Sequence, residues 1–543
     1  MKISGFIIVL VITLNIPGVG QNLKEIQKIL IRNVTLADQN RNDQDVVLNL
    51  LIKNKKLSLV TKDPVEMKQA DITLDAKGGY VLGKLETGEI AEFIILEKDP
   101  RTNQDVILDT RSHTLFAMDK GEVVVNKLFR IDQEDSRPAD GWLSYAPPPV
   151  ALPVSYQNHR RWNVVRTKPV NLAFDGAIAM DNTRWLSQDP INEDQVGELS
   201  QYEGGSIRGY RLGIVGTINF KAPWTFVFWV ASNAYERGFE QGNLNEFILY
   251  DYRLDIPIGK INLSVGKTRE TISIQRLSAM VHIPDQQERA SVADGLLPSR
   301  NVGIVVNSSI LHGRMTWAAG IYNDWYEKNR SFSDNPTVVT GRITGLPFIS
   351  KDESNLLHVG IAGRYSNAAG GIRYNARTEI FRGPMSVDTD LIDDAGSTFH
   401  YGLELGYRRG PLTLISEYIH AKVSSANTND PGFKGYYIVA SYVLTGEMRP
   451  YNKRSGVFGR TNVAKDLASG GWGSWEVYSR WSNIDLSDQQ IDGGIMNTLS
   501  LGLSWWPFDI VQVSAGYRYS TLDRFEQNGY NHGLVTRLVF VLE

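Results

Sequence analysis

The residues best placed for chemistry in this chain are arginines. Arg211, Arg342, Arg364, Arg373, Arg377, Arg480 and Arg518 fall in stretches where apolar and polar residues alternate, and strand parity puts each on the polar side. A guanidinium fork holds a carboxylate or a phosphate through two parallel N–H···O bonds, so a series of forks could hand an oxyanion along a polar wall. The same face carries Asp175, Asp251, Asp255, Glu404, Glu417 and Glu476. Each arginine could therefore equally be paired with a neighbouring acid, and the sequence leaves both arrangements open. Other chemistries are closed off. There is no Cys, and none of the eight His forms an HxH or HExxH pair, so thiolate zinc sites, iron–sulfur clusters and a Cys nucleophile are excluded. Gly78 to Lys84 satisfies the first seven positions of a phosphate-binding P-loop, but Leu85 stands where Ser or Thr would hold Mg²⁺. No cofactor is expected and no catalytic residue stands out.

The chain has 543 residues, a formal charge of −3 and a pI near 6.3, which gives no global attraction to nucleic acid. Lys2, the apolar run Phe6 to Leu14 and the small residues Gly18 and Gly20 predict a secretory signal peptide over 1–20. No later apolar run is long enough to span a bilayer as a helix. An exported chain of this kind enters a membrane only as a closed β-barrel, where every backbone group is satisfied.

Three further regions follow. Residues 21–129 read as a small β-sandwich, with short apolar segments such as Val46 to Ile52 and Phe93 to Leu96 separated by turn formers. Residues 130–168 read as a linker, with Pro147-Pro148-Pro149 at its centre. From 169 to 543 the dominant signal is a period of two. In Tyr210 to Phe220, for example, Tyr210, Leu212, Ile214 and Ile218 alternate with Arg211, Thr217 and Asn219. Aromatics mark strand ends at Trp224, Tyr252, Trp317, Tyr407, Trp481, Trp505 and Trp506. Tight turns at Gly259, Gly410 and Asp509 alternate with long polar loops. An apolar outside, a polar inside and aromatic girdles predict a transmembrane antiparallel barrel. About seventeen candidate strands follow Pro169. Since single-chain barrels have an even number, sixteen is the expectation and eighteen the alternative.

Two resemblances add to this. Ile29 to Leu36, Asp71 to Leu82, Glu86 to Leu96 and Met118 to Val125 resemble the outer β-sandwich of the amidohydrolase superfamily with its catalytic barrel missing. That resemblance implies a scaffold without chemistry, and His113 has no second His to share a metal. The larger region resembles the phosphate-selective porin O/P family. The matching stretches are Arg300 to Ile304, Trp317 to Asn323, Val339 to Phe348, Gly435 to Glu447 with Arg449-Pro450-Tyr451, and Gly473 to Leu486. The resemblance implies a sixteen-stranded outer-membrane porin, a homotrimer embedded in outer-membrane lipid, passing small anions and phosphate above all. The sandwich would then lie in the periplasm.

Thr271 to Ser299 is the expected loop folded into the pore. Lys267, Arg269, Arg276 and Arg289 are its constriction candidates, with Arg300 just beyond. Its acids are Asp285, Glu288 and Asp294, and it holds no Lys, whereas the resemblance implies a lysine-rich constriction. The last strand, Leu534 to Leu542, carries its aromatic at Phe540. The alternatives to an anion porin are a non-selective general porin and a closed barrel that anchors a periplasmic binding domain.

Overall fold

The computed structural model describes residues 28–36, most of 46–130 and most of 164–542. The undescribed residues within those stretches are 67–68, 77, 84, 104–105, 107–112, 127, 167–168, 221, 233–237, 240–245, 281–282, 286, 329–330, 332–334, 351–352, 369 and 469. The expected signal segment and nearly all of the expected linker lie outside the described residues. The chain divides into two compact units, Met1–Val124 and Val125–Glu543.

The first unit is a small sheet domain. Its strands run in the spatial order Lys56–Thr61, Val46–Lys53, Lys28–Leu36, Tyr80–Gly83, Phe93–Leu96, Thr114–Asp119 and Glu122–Asn126. Ile72–Asp75 lies parallel to the first half of Lys28–Leu36. Asn33, at φ 56°, sits at a register shift between Ile31 and Val34, so Leu30, Ile31 and Val34 are all buried. In the Gly-rich stretch after Asp75, Tyr80–Gly83 is a strand paired with Phe93–Leu96.

The second unit is a closed antiparallel barrel of sixteen strands. They are β1 (Val170–Gln188), β2 (Gly204–Ile218), β3 (Trp224–Ser232), β4 (Phe247–Ile258), β5 (Ile261–Thr268), β6 (Asn301–Ile310), β7 (Met315–Tyr322) and β8 (Val338–Ile349). The other half is β9 (Asn355–Asn367), β10 (Ser397–Arg409), β11 (Leu412–Ser424), β12 (Gly432–Val443), β13 (Ser474–Asp488), β14 (Ile491–Phe508), β15 (Val511–Arg524) and β16 (Gln527–Leu542). Each pairs with its sequence neighbour, and β16 returns to β1 in the register Ile178↔Phe540, Asp181↔Arg537. A further short strand, Val164–Arg166, pairs with β1 outside the closed circuit. No helix among the described residues is long and apolar enough to cross a membrane.

Closure removes both sheet edges, and the two-residue period assigns the faces. Phe174, Leu212, Phe228, Ile343, Ile361, Leu403, Ile438, Leu501 and Phe540 are exposed on the outside. Asp175, Arg211, Arg342, Arg364, Glu404, Arg480 and Arg537 are buried on the inside. Trp506 corrects the girdle expectation. It is buried under Arg460, whose guanidinium lies 4.4 Å from its ring, because two consecutive strand residues cannot share one face.

One close approach on the inner wall is testable. A Cβ on Gly213 would stand 2.1 Å from Phe228 O and from Trp229 Cδ1. Glycine leaves room there for the Trp229 ring, over which the Arg211 guanidinium lies at 4.2 Å. Gly213→Ala is expected to destabilise the barrel by about 1–3 kcal/mol through overpacking. Thermal unfolding of the reconstituted barrel measures it, and an unchanged midpoint would show that the wall can give.

Candidate functional site: the barrel lumen

Among the described residues, three connections run into the lumen over long stretches, and Phe239 of the β3–β4 connection lies beside them, its ring 5.4 Å from that of Tyr374 and 6.5 Å from that of His400. Two come from the end with long loops: residues 269–300 between β5 and β6, and residues 368–396 between β9 and β10. The third, residues 444–473 between β12 and β13, comes from the opposite end, where the other connections are short turns.

Segment 269–300 is buried along almost its whole described length. It contains α1 (Ile274–Leu277) and α2 (Ser291–Leu296). Ser273 caps α1, its Oγ accepting from Arg276 N at 3.0 Å. The wall completes the cap: Glu417 of β11 accepts from Ile274 N at 3.0 Å and Gln275 N at 3.1 Å, and Tyr437 Oη donates to it at 2.7 Å. Ile274, Leu277, Val292 and Leu296 then pack with Ile415, Ile419, Ile484 and Met496 of the inner wall in one apolar cluster. The lumen is thus polar on one side and a dry core on the other.

Segment 368–396 carries a short hairpin, Asn375–Ala376 paired with Val387–Asp388. The Tyr374 hydroxyl lies 3.0 Å from His400 Nε2 of the wall. Near its exposed end, Ser425 Oγ and Asn427 N donate to Asp394, and these bonds hold its carboxyl below the usual carboxylate range. Segment 444–473 is held by Arg342, which donates to Ser455 O at 2.7 Å and Gly456 O at 2.8 Å. Tyr451 Oη meets His358 Nδ1 at 2.7 Å, and Arg449 pairs with Glu476 at 2.6 Å.

The charged side chains meet where these segments touch the wall. Arg480 Nη2 lies 2.7 Å from Asp285 and 2.5 Å from Glu379. Arg518 Nη2 donates to the other oxygen of Asp285 at 2.8 Å. Arg208 forks onto both oxygens of Glu288 at 2.5 and 2.9 Å. Arg537 forks onto Asp181 at 2.6 and 2.7 Å and reaches Glu288 at 2.8 Å. These four arginines are no more than 3 % exposed. They converge on Asp285, Gln287 and Glu288 of the inward segment, and four arginines face four acids.

Arg211 pairs with Asp175 at 3.1 Å, Arg342 with Glu404 at 2.7 Å and Arg364 with Glu270 at 2.7 Å. Arg373 and Arg377 are not on barrel strands but in segment 368–396. Arg373 pairs with Asp388, its side chain 51 % exposed, and Arg377 donates to Gly383 O at 2.7 Å. Arg269 donates to Leu277 O at 3.0 Å, Arg276 to Ala293 O at 2.8 Å and Arg289 to Ser278 O at 2.9 Å. These three bind the segment's own backbone and brace its fold. Lys267 lies outside the segment, on the outward-facing register of β5, and pairs with Glu327 at 2.7 Å. Sequence reasoning missed Arg208, Arg449, Arg537 and Glu379. Arg208 and Arg537 lie on strands whose alternation signals them and Arg449 lies in a stretch that carries the family resemblance, whereas nothing local marks Glu379.

A family model described as phosphate-selective porin O and P matches residues 185–542, well over half of the chain. The chain belongs to that family. This porin is 25% identical to Porin O of Pseudomonas aeruginosa over 319 residues, 52% of this chain and 70% of that protein. It is also 25% identical to an uncharacterized protein of Caulobacter vibrioides over 242 residues, 42% of this chain and 48% of that one. Among solved structures, an anion-selective porin from Comamonas acidovorans is 12% identical with a TM-score of 0.42, covering 69% of this chain and 100% of its own. OmpT of Vibrio cholerae is 9% identical with a TM-score of 0.41, covering 70% and 100%. Likenesses of that size say nothing of what this porin conducts. Membership of the family makes it an outer-membrane porin of the anion-passing kind, a channel and not an enzyme.

Proposed function

We propose that this porin passes phosphate and other small anions across the outer membrane, working as a homotrimer in outer-membrane lipid. The family's description and the concentration of arginines on the inner wall support the reading. Among the arginines singled out, Arg211, Arg342, Arg364, Arg480 and Arg518 would supply the fixed positive charge, and segment 269–300 the narrowing. Both ends of the barrel chain lie at the short-turn end, which in outer-membrane barrels faces the periplasm. Residues 21–129 would therefore be a periplasmic module, an amidohydrolase-like scaffold without chemistry, joined through 130–168.

A second reading has an observation in its favour. The lumen arginines are matched by acids, and a charge-balanced pore would be a general one. Planar-bilayer recordings in a chloride gradient separate the two. An anion-selective reversal potential, with chloride current blocked by added phosphate, is the expected result. A weakly selective conductance indifferent to phosphate would establish the general porin, and no conductance would establish a closed anchor.

A further inference from the structure

The carboxylates that face the four convergent, buried arginines come mainly from the inward segments, not from the barrel wall. Asp285 and Glu288 belong to segment 269–300 and Glu379 to segment 368–396, while Arg208, Arg480, Arg518 and Arg537 belong to β2, β13, β15 and β16. Only Asp181 is a wall acid in this group. The surroundings of Glu379 are the most telling. Arg480 Nη2 donates to it at 2.5 Å, Ser500 Oγ at 3.0 Å and Ser291 N at 2.9 Å, and Ser482 Oγ donates as well. A guanidinium, two hydroxyls and a backbone N–H converge there, a set that suits the several acceptor oxygens of an oxyanion. At Asp285, Arg480 and Arg518 close on one carboxylate from two strands, again as an anion would be held.

We propose that Asp285, Glu288 and Glu379 act as tethered anions. They occupy the guanidinium forks and the serine cradle that a permeating oxyanion would otherwise fill. These three carboxylates, rather than the arginines alone, then set how strongly the porin prefers anions and how tightly it holds phosphate. With them the four-arginine group is neutral; without them it carries three net positive charges, since Asp181 alone remains. A pore's ion preference follows the sign of the fixed charge at its narrow part. Phosphate must displace a tethered carboxylate to enter a fork, so the tether weakens its retention and lets it leave. The inference rests on the anion-porin reading and deepens it.

The test uses the full chain in planar bilayers with inorganic phosphate as the probe. Glu379→Gln, Asp285→Asn and Glu288→Gln keep shape and remove charge, and heat-modifiable migration on a gel reports whether each barrel has folded. Each variant is expected to move the reversal potential further toward anions. The pair Asp285→Asn with Glu379→Gln is expected to lower the half-blocking phosphate concentration by about tenfold, the worth of one charge-assisted hydrogen bond. Adding Arg480→Gln to that pair leaves the group with one net positive charge instead of two, so it should raise the half-blocking phosphate concentration again and take back about half of the shift in reversal potential. Should the variant at Glu379 fail to fold, the same readings on Glu288→Gln decide, because Arg537 keeps Asp181 as a partner there. A purely structural role would loosen the segments and raise conductance with selectivity and phosphate block unchanged, and that result overturns the proposal. Wild-type protein without anion preference would overturn the anion-porin reading instead. The variant-minus-wild-type shift would still test the tether.

Discussion

Arg480→Ala is expected to cost this porin about 3–5 kcal/mol of barrel stability, the penalty for stripping one partner from a buried ion-pair network. Arg480 is fully buried and touches Asp285 and Glu379 at once, while its Nη1 also donates to Glu288 O at 2.8 Å. Alanine would leave Glu379 with neutral donors only and Asp285 with Arg518 as its remaining arginine. The loss should appear as a lower midpoint in urea unfolding of the folded barrel. Arg184→Ala, at an exposed position on the lipid side of β1, is the control and should stay within about 0.5 kcal/mol of wild type. Equal effects at the two positions would mean that the lumen network is not what holds the inward segments to the wall.

The second large effect concerns the dry side of the lumen. Leu296→Asp is expected to undock segment 269–300 and raise single-channel conductance severalfold. Leu296 is fully buried in α2, within the apolar cluster that includes Ile415, Ile419 and Ile484 of the wall. An unpaired carboxylate there costs several kcal/mol, more than one short helix can offset, whereas the closed strand ladder does not depend on it. The barrel should therefore fold, with residues 269–300 newly open to added protease. A variant that folds with wild-type conductance and protease resistance would show that the polar contacts alone hold the segment. The two substitutions probe opposite sides of the same inward segment. Arg480→Ala weakens its charged anchor and Leu296→Asp its apolar one, so their conductances together tell which anchor defines the opening.

Much of this architecture was legible from residue order. The period of two is a local property, so the inner and outer faces of β2, β8 or β16 follow from neighbouring residues alone. The even-number rule brought the strand count to sixteen. The length of Thr271 to Ser299, against turns as short as residues 259–260, marked it as the inward loop. The inward course of 444–473 was not legible, because it starts from the end where every other connection is short, and its anchors, Arg342 on β8 and His358 on β9, are about a hundred residues away. Arg373 and Arg377 misled because a hairpin loop imitates strand alternation over a few residues. Trp506 misled because two adjacent aromatics look like one girdle, while Trp505 alone keeps the outward register.

The sequence by itself determined a barrel, its faces and five of the arginines on its inner wall, Arg211, Arg342, Arg364, Arg480 and Arg518. Only the tertiary structure decided what those arginines meet. Asp181 and Arg537 are 356 residues apart, and Asp285 and Arg518 are 233 apart. Both pairs exist only because β16 closes on β1 and because segment 269–300 turns inward to reach β13 and β15. A two-residue period tells which way a side chain points. Which charge it finds there depends on the closure and shear of the whole sheet, and no local pattern encodes either.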